Sequence, residues 1–352
     1  MPEKLRTILA IRFSAMGDVA MTIPVMQQVL EQNADIQIVF VSNKNWGALC
    51  AGIPRLIFFP ADLKGAHKGF RGLYSLYRSI HTAYYIDAVA DLHHVLRSQI
   101  VRTFFRLTGV PVSVIDKGRA EKKALARPEE KVMVPLTSTI ERYAAVFRQL
   151  GISLTIYPSR PVFARQSLPA ETLAVTGPKN GDTWIGMAPF ATYREKTYPL
   201  EKMEEVLASL VNRQHTKVLL MGGGGMEVAQ LTSLAIKYPA AVVVAGRFSL
   251  KEEMAIISNL DLMISMDSAN MHLASLFGVP VVSVWGATHP FAGFMGFGQS
   301  EANAVQLESL SCRPCSIFGN KPCFRGDHAC MEWIPPASIV EKVTKVAGET
   351  KF

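Results

Sequence analysis

The chain has 352 residues, room for two domains of ordinary size, with 49% hydrophobic and 19% charged residues. That composition excludes a long disordered or fibrous protein. The net charge of +8 points to an anionic partner, but no DNA- or RNA-binding motif accompanies it, so nucleic acid is not expected.

In chain order, Met1 to Arg6 lacks the apolar core and small-residue cleavage site of a leader, which points to a cytoplasmic protein. Thr7 to Ile11 predicts a first strand, and Val19, Ile23, Met26, Val29 and Leu30 follow at helical spacing. Ile36 to Val41 and Ile57 to Phe59 read as strands, with a short helix from Asn45 to Ala51 between them. Phe70, Leu73, Tyr74, Tyr77 and Ile80 mark a second amphipathic helix. A strand from Tyr85 to Leu92 and a helix from Leu96 to Leu107 complete this half. Such alternation signals a parallel sheet covered on both faces.

Gly151 to Gly181 is rich in proline and glycine and poor in periodicity, the pattern of a linker. The alternation then restarts, with strands at 184–188, 217–221, 241–244, 262–265 and 281–285. Helices fall at 200–213, 227–236, 251–258 and 270–277, and Pro335-Pro336 introduces a last helix from Ser338 to Val346. The uncharged stretch Ser268 to Ser300 is broken by Pro280, Pro290 and several glycines, whereas a membrane span needs about 20 uninterrupted apolar residues. It reads as core and loop.

Several strand ends carry chemistry. Arg12-Phe13-Ser14-Ala15-Met16-Gly17-Asp18 matches neither the dinucleotide fingerprint nor the P-loop. Gly17 suits a sharp turn, and Asp18 stands at a helix entrance, where its commonplace use is a cap. Gly222 to Gly225 permits close approach of a ligand to the backbone, with a helix N-terminus and Glu227 behind it. Glu227 suits ribose hydroxyls, or is an ordinary first-turn charge. In Asp267-Ser268-Ala269-Asn270-Met271-His272, a hydroxyl, a helix N-terminus and an imidazole converge as a diphosphate cradle would require. Thr192, Arg194 and Lys196 occupy the loop after the strand at 184–188, where cations suit a phosphate. Asp91, His93, His94 and Arg97 also lie at a strand-to-helix transition, where an anionic acceptor and an internal salt bridge are both compatible.

Cys312, Cys315, Cys323 and Cys330 are spaced C-x2-C-x7-C-x6-C, which fits no common zinc module. Reduced thiols packing a loop are the plainer reading, and no metal is assigned.

Taken together, Ser14-x-x-Gly17-Asp18, Asp91-Leu92 with Leu96-Arg97-Ser98, Lys196-x-Tyr198-Pro199, Asp267-Ser268-x-x-x-His272-Leu273-Ala274 and the late cysteine loop resemble the lipopolysaccharide heptosyltransferases of glycosyltransferase family 9. The landmarks are collinear over nearly the whole chain. Ala269, usually glycine in the family, and Tyr198, often tryptophan, depart from its pattern.

The resemblance implies an α/β protein of the GT-B fold, two doubly wound Rossmann-like domains facing a central cleft. Residues 1–165 would form the acceptor domain and 176–335 the nucleotide-sugar domain, with a helix at 336–352 packing back on the first. It implies inverting, metal- and cofactor-free transfer from ADP-heptose to the lipopolysaccharide inner core, at the cytoplasmic face of the inner membrane. Asp18 would be the general base. Thr192, Lys196, Gly223, Glu227, Asp267, Ser268 and His272 would hold the donor, and Ser14, Gly17 and Arg97 the acceptor. The basic residues Lys117, Arg119, Lys122, Lys123 and Arg127, with Lys64, Lys68 and Arg71, suit anionic lipid or a solvated loop. A transferase with another nucleotide sugar, an epimerase and a non-catalytic binder are the competing readings, since fold alone does not fix function.

Overall fold

The first apolar run becomes the middle strand of a five-stranded parallel sheet, because its residues are buried on both faces. That sheet consists of β1 (Arg6–Ile11), β2 (Ile36–Asn43), β3 (Leu56–Ala61), β4 (Ala88–Asp91) and β5 (Val112–Val114), in the order β3-β2-β1-β4-β5. Its helices are α1 (Met16–Gln32), α2 (Gly69–Ala83) and α3 (Leu96–Leu107), with α5 (Thr139–Gln149) returning to it later. In α1 every residue from Val19 to Met26 is buried, so this helix sits deep in its unit rather than on the surface. The short helix expected at 45–51 is a 3-10 helix, Lys44–Cys50.

The computed structural model describes residues 5–349, so the leader reading, which rested partly on Met1 to Lys4, lies outside the described residues. The chain forms two units. The first runs to Lys117 and includes Thr137–Pro158; the second comprises Gly118–Leu136 and the chain from Ser159 on.

This division corrects the boundary expected at residue 165 and places α4 (Arg119–Leu125) in the second unit. The expected linker is largely structured. Val162 and Phe163 donate backbone hydrogen bonds to Leu276 at 2.8 and 3.0 Å, and Arg165 bonds the Asn259 side chain at 2.7 Å. The short helix α6 (Ala170–Thr176) follows.

The second unit holds a six-stranded parallel sheet: β6 (Thr183–Ala188), β7 (Thr216–Leu220), β8 (Ala241–Val243), β9 (Leu262–Met266), β10 (Val281–Val284) and β11 (Ala304–Val305). Their order is β11-β10-β9-β6-β7-β8. Helices α7 (Leu200–Val211), α8 (Gly225–Lys237), α9 (Leu250–Ile257) and α10 (Ala269–Leu276) cross between the strands, and the one-turn α11 (Ala329–Glu332) precedes α12 (Pro336–Glu349). The expectation that this last helix packs on the N-terminal domain is overturned. Ile339, Val343 and Val346 are buried in the second unit's core with Met203 and Leu207 of α7. An apolar stripe settles on the nearest complementary face, here the sheet it follows in sequence.

Each sheet reverses its strand order once, between β1 and β4 in the first and between β6 and β9 in the second. At such a switch point adjacent crossovers leave in opposite directions and open a crevice at the carboxyl ends of the strands. The loops after β1 and β4, and those after β6 and β9, contain most of the residues singled out from sequence.

One arginine anchors the first unit. Arg55 has φ of 62° and aims Nη1 at the carbonyls of Asn33, Ala34 and Ile36, at 2.8, 3.2 and 2.5 Å, while Nη2 meets Leu30 O at the C-terminal end of α1. It therefore satisfies carbonyls that the helix end leaves open. Arg55→Ala should cost about 2 kcal/mol in denaturant unfolding, from lost charged hydrogen bonds. Arg55→Gly should cost about 1 kcal/mol less, because glycine tolerates the left-handed backbone. Equal losses would contradict this partition.

Candidate functional site

In the first unit, Asp18 is the third residue of α1, and Ala15 occupies the N-cap position. Gly17 lies inside the helix without a positive φ, so the turn is made before it and not, as expected, at Gly17. The Asp18 Oδ2 atom accepts the Ala15 N–H at 3.2 Å and pairs with Arg12 Nη2 at 2.8 Å. Among the described residues its Oδ1 accepts no hydrogen bond, and the side chain is 30% exposed. The cap contact and the ion pair thus both use one carboxylate oxygen.

Arg12, which sequence reading did not assign, is the organiser here. It is 8% exposed, donates to Leu92 O at 2.9 Å, and lies 5.8 Å from the centre of the Tyr143 ring. A guanidinium so deeply buried needs a carboxylate, and Asp18 supplies it. His93 sits alongside. Its Nδ1 accepts the Phe13 N–H at 3.3 Å, and burial followed by the charge of Arg12 pushes its pKa down to about 3. The ring is neutral, with its proton on Nε2.

Asp91, by contrast, is structural. Fully buried, it accepts from the backbone of His93 and His94, from Ser98 Oγ, and from Arg102 Nη1 at 2.7 Å. The internal salt bridge is therefore present, with Arg102 as its cation. Arg97 and Ser14 are exposed at the same sheet edge.

In the second unit, Lys196 follows β6 and Asp267 follows β9, the two strands that flank the switch point. Their side chains pair at 3.0 Å, with exposures of 15% and 7%. Asp267 is thus the anchor of Lys196. Gly319 has φ of 72°, and a Cβ there would lie 2.4 Å from Lys196 Cδ. The lysine stem crosses the cysteine loop at a point only glycine leaves open. No sequence signal marked Gly319.

Ser268 is the N-cap residue of α10 by position, yet its hydroxyl meets Ser265 Oγ at 3.1 Å instead of capping. The first N–H groups of α10 therefore remain available to an anion. His272 is buried one turn into the helix. Thr192 is exposed in the loop after β6, while Arg194 is committed to Glu332 at 3.2 Å. Glu227 folds back so that Oε2 accepts the Gly223 N–H at 2.7 Å, leaving Oε1 for another donor. Space is open around Gly223, Gly224 and Gly225.

Tyr198 is buried, with its hydroxyl on Ile334 O at 2.7 Å, so its departure from tryptophan is accommodated in the core. The loop 286–288 is pinned by Arg313, which sequence reading also missed. Arg313 donates to the carbonyls of Gly286, Leu307 and Thr288. Burial lowers its pKa to about 10. All four clustered cysteines are free thiols, and among the described residues no group of three or more His, Cys, Asp or Glu side chains is placed to hold a metal ion.

Two parallel α/β units, each with polar side chains gathered at its switch point, are the architecture of the GT-B fold. The family model described as glycosyltransferase family 9 (heptosyltransferase) matches residues 73–320, and the chain belongs to that family. Among its relatives, the lipopolysaccharide core heptosyltransferase OpsX of Haemophilus influenzae is 22% identical, over 99% of this chain and 92% of that protein. A glycosyl transferase family 9 structure from Veillonella parvula superposes with a TM-score of 0.76 at 20% identity, covering 99% of each chain. The E. coli ADP-heptose lps heptosyltransferase II gives 0.69 at 17%, covering 98% of this chain and 100% of that one. Among the described residues no helix is long and apolar enough to cross a membrane.

Proposed function

We propose that this heptosyltransferase-like enzyme transfers heptose from ADP-heptose to the inner core of lipopolysaccharide, with inversion and with Asp18 as general base. The observation that carries the reading is the divided carboxylate: Oδ2 is fixed by Arg12 and the Ala15 N–H, while Oδ1 stays open. A base must be held still yet keep one lone pair for the incoming proton.

In this reaction the acceptor hydroxyl oxygen attacks the anomeric carbon, and its proton passes to Asp18 Oδ1. The bond from that carbon to the diphosphate oxygen breaks, and ADP departs with the electron pair. Lys196 and the uncapped N-terminus of α10 stabilise the charge that gathers on the leaving group. Thr192 and Ser268 add hydroxyls, His272 supports α10, and Glu227 Oε1 receives a ribose hydroxyl beside Gly223. Ser14, Gly17 and Arg97 face the acceptor, whose acidic groups suit Arg97. The reaction takes place at the cytoplasmic face of the inner membrane, with peripheral docking and without nucleic acid. Similarity to a lipopolysaccharide core heptosyltransferase and to an ADP-heptose lps heptosyltransferase supports this acceptor and donor.

The donor is tested by thermal shift. ADP-sugars should raise the melting temperature more than UDP- or GDP-sugars at equal concentration, since only a ligand of the native state stabilises it. A larger shift with UDP-sugars would overturn the heptose assignment and leave the fold intact.

A further inference from the structure

The outer face of α2 and α3 has no part in the chemistry above. On α2, Phe70 is 64% exposed and Tyr74 is 44% exposed, one helical turn apart. Phe104 of α3 lies against both, with ring centres 5.7 Å from Phe70 and 5.2 Å from Tyr74, each edge to face. Tyr77, buried below, backs Phe104 at 5.2 Å. Isolated exposed hydrophobic residues are ordinary, but here the rings form one continuous ridge across two helices. The ridge is pinned from beneath, so presenting it to a partner orders little that is not already ordered.

The charge around this ridge has a single sign. Lys64 to Ile86 and Leu92 to Ile115 contain no Asp or Glu. Lys64, Lys68, Arg71, Arg78 and Arg106 are exposed, and none of them pairs with a carboxylate among the described residues. The other basic stretch behaves differently: Lys122 of α4 lies 4.6 Å from the Phe294 ring centre and 5.8 Å from that of Phe318, within the second unit.

We propose that the α2–α3 face docks on a bilayer bearing anionic phospholipid headgroups. Unpaired cations draw the face to the negative surface, and the aromatic ridge enters the headgroup layer, where amphipathic rings are stable. Both components are required, as for other interfacial surfaces that combine charge with shallow apolar burial. The location of the face rests on its own residues; its usefulness rests on the proposed lipid-linked acceptor.

The experiment measures co-sedimentation of the full chain with phosphatidylcholine vesicles, with and without phosphatidylglycerol, and needs neither donor nor acceptor. Binding should require phosphatidylglycerol and weaken as salt rises. Arg71→Glu with Arg78→Glu should lower the partition coefficient by about tenfold or more, since each surface cation contributes a factor of about five. Phe70→Ser with Tyr74→Ser should lower it comparably. The arginine variant should keep the wild-type melting temperature and the Phe70, Tyr74 variant should lose only a few degrees from its contacts with Phe104, and circular dichroism verifies that both are folded. A Lys123→Glu, Arg127→Glu variant serves as the control and should bind as wild type.

Wild-type binding by either α2 variant would overturn the proposal, as would equal binding to neutral vesicles. So would a loss as large in the control, or capture of single-stranded RNA with no vesicle binding. Because transfer is not measured, a failed heptose reading would show separately in the thermal-shift screen.

Discussion

Asp18→Ala should lower turnover by on the order of a hundredfold or more while donor affinity, measured by calorimetry, stays within a few-fold. The residues proposed to hold the donor, Lys196, Glu227 and Ser268, belong to the second unit and are not altered by the substitution. The carboxylate also accepts the Ala15 N–H and neutralises Arg12, so some stability is lost with it. Asp18→Asn separates the two effects. An amide oxygen can still accept the Ala15 N–H, but the side chain can no longer take a proton. Turnover should therefore fall as far in Asp18→Asn as in Asp18→Ala, with a smaller drop in melting temperature. A folded Asp18→Asn enzyme that transfers sugar at the wild-type rate would remove Asp18 from the mechanism.

Lys196→Ala should weaken donor binding by about 1.5–3 kcal/mol, the range of a hydrogen bond to a charged group. Rate and affinity should fall together, because in the proposed mechanism the cation faces the diphosphate in both the ground and the transition state. The pair with Asp267 adds a second expectation. Removing the lysine leaves the Asp267 carboxylate, with its side chain 7% exposed, unpaired where the proposed mechanism puts the phosphates. Lys196→Ala combined with Asp267→Asn should then bind donor more tightly than Lys196→Ala alone, with a coupling of about 1–2 kcal/mol in the double-mutant cycle. Strict additivity would show that Asp267 does not act through Lys196.

Much of this site was legible in the chain because polar residues at strand ends break an otherwise apolar pattern. Asp18, Lys196, the Gly222–Gly225 loop and the Asp267–His272 turn all follow apolar runs that become strands. Reading roles was harder. Asp267 reads from sequence as a helix cap or, by resemblance, a donor contact, and its pairing with Lys196 depends on β6 and β9 being neighbours. Arg12 carried no signal, since an arginine after a strand resembles any surface cation until Leu92, Asp18 and Tyr143 are seen around it. Gly319 was likewise invisible, because its importance is the space it leaves for another loop's lysine.

The eleven-residue α5 was missed from sequence although it is long enough to show a face, whereas β5 with three residues, β11 with two, and α4 and α6 with seven each were missed because they are short. Segments of that length complete too few periods to reveal a face.

The sequence by itself determined where apolar runs become strands and helices, that parallel crossovers would cover both sheets, and where the polar strand ends would fall. Those properties follow from side-chain periodicity and backbone sterics within a few residues. Only the tertiary structure decided that β1 lies beside β4 and β6 beside β9, that α4 and α12 belong to the second unit, and which charges are paired. Strand order and ion pairing depend on contacts between residues far apart in the chain, and local periodicity does not encode them. The same contacts make Asp91 a buried strut, leave Asp18 with one oxygen open, and leave the cations around Phe70 and Tyr74 without partners.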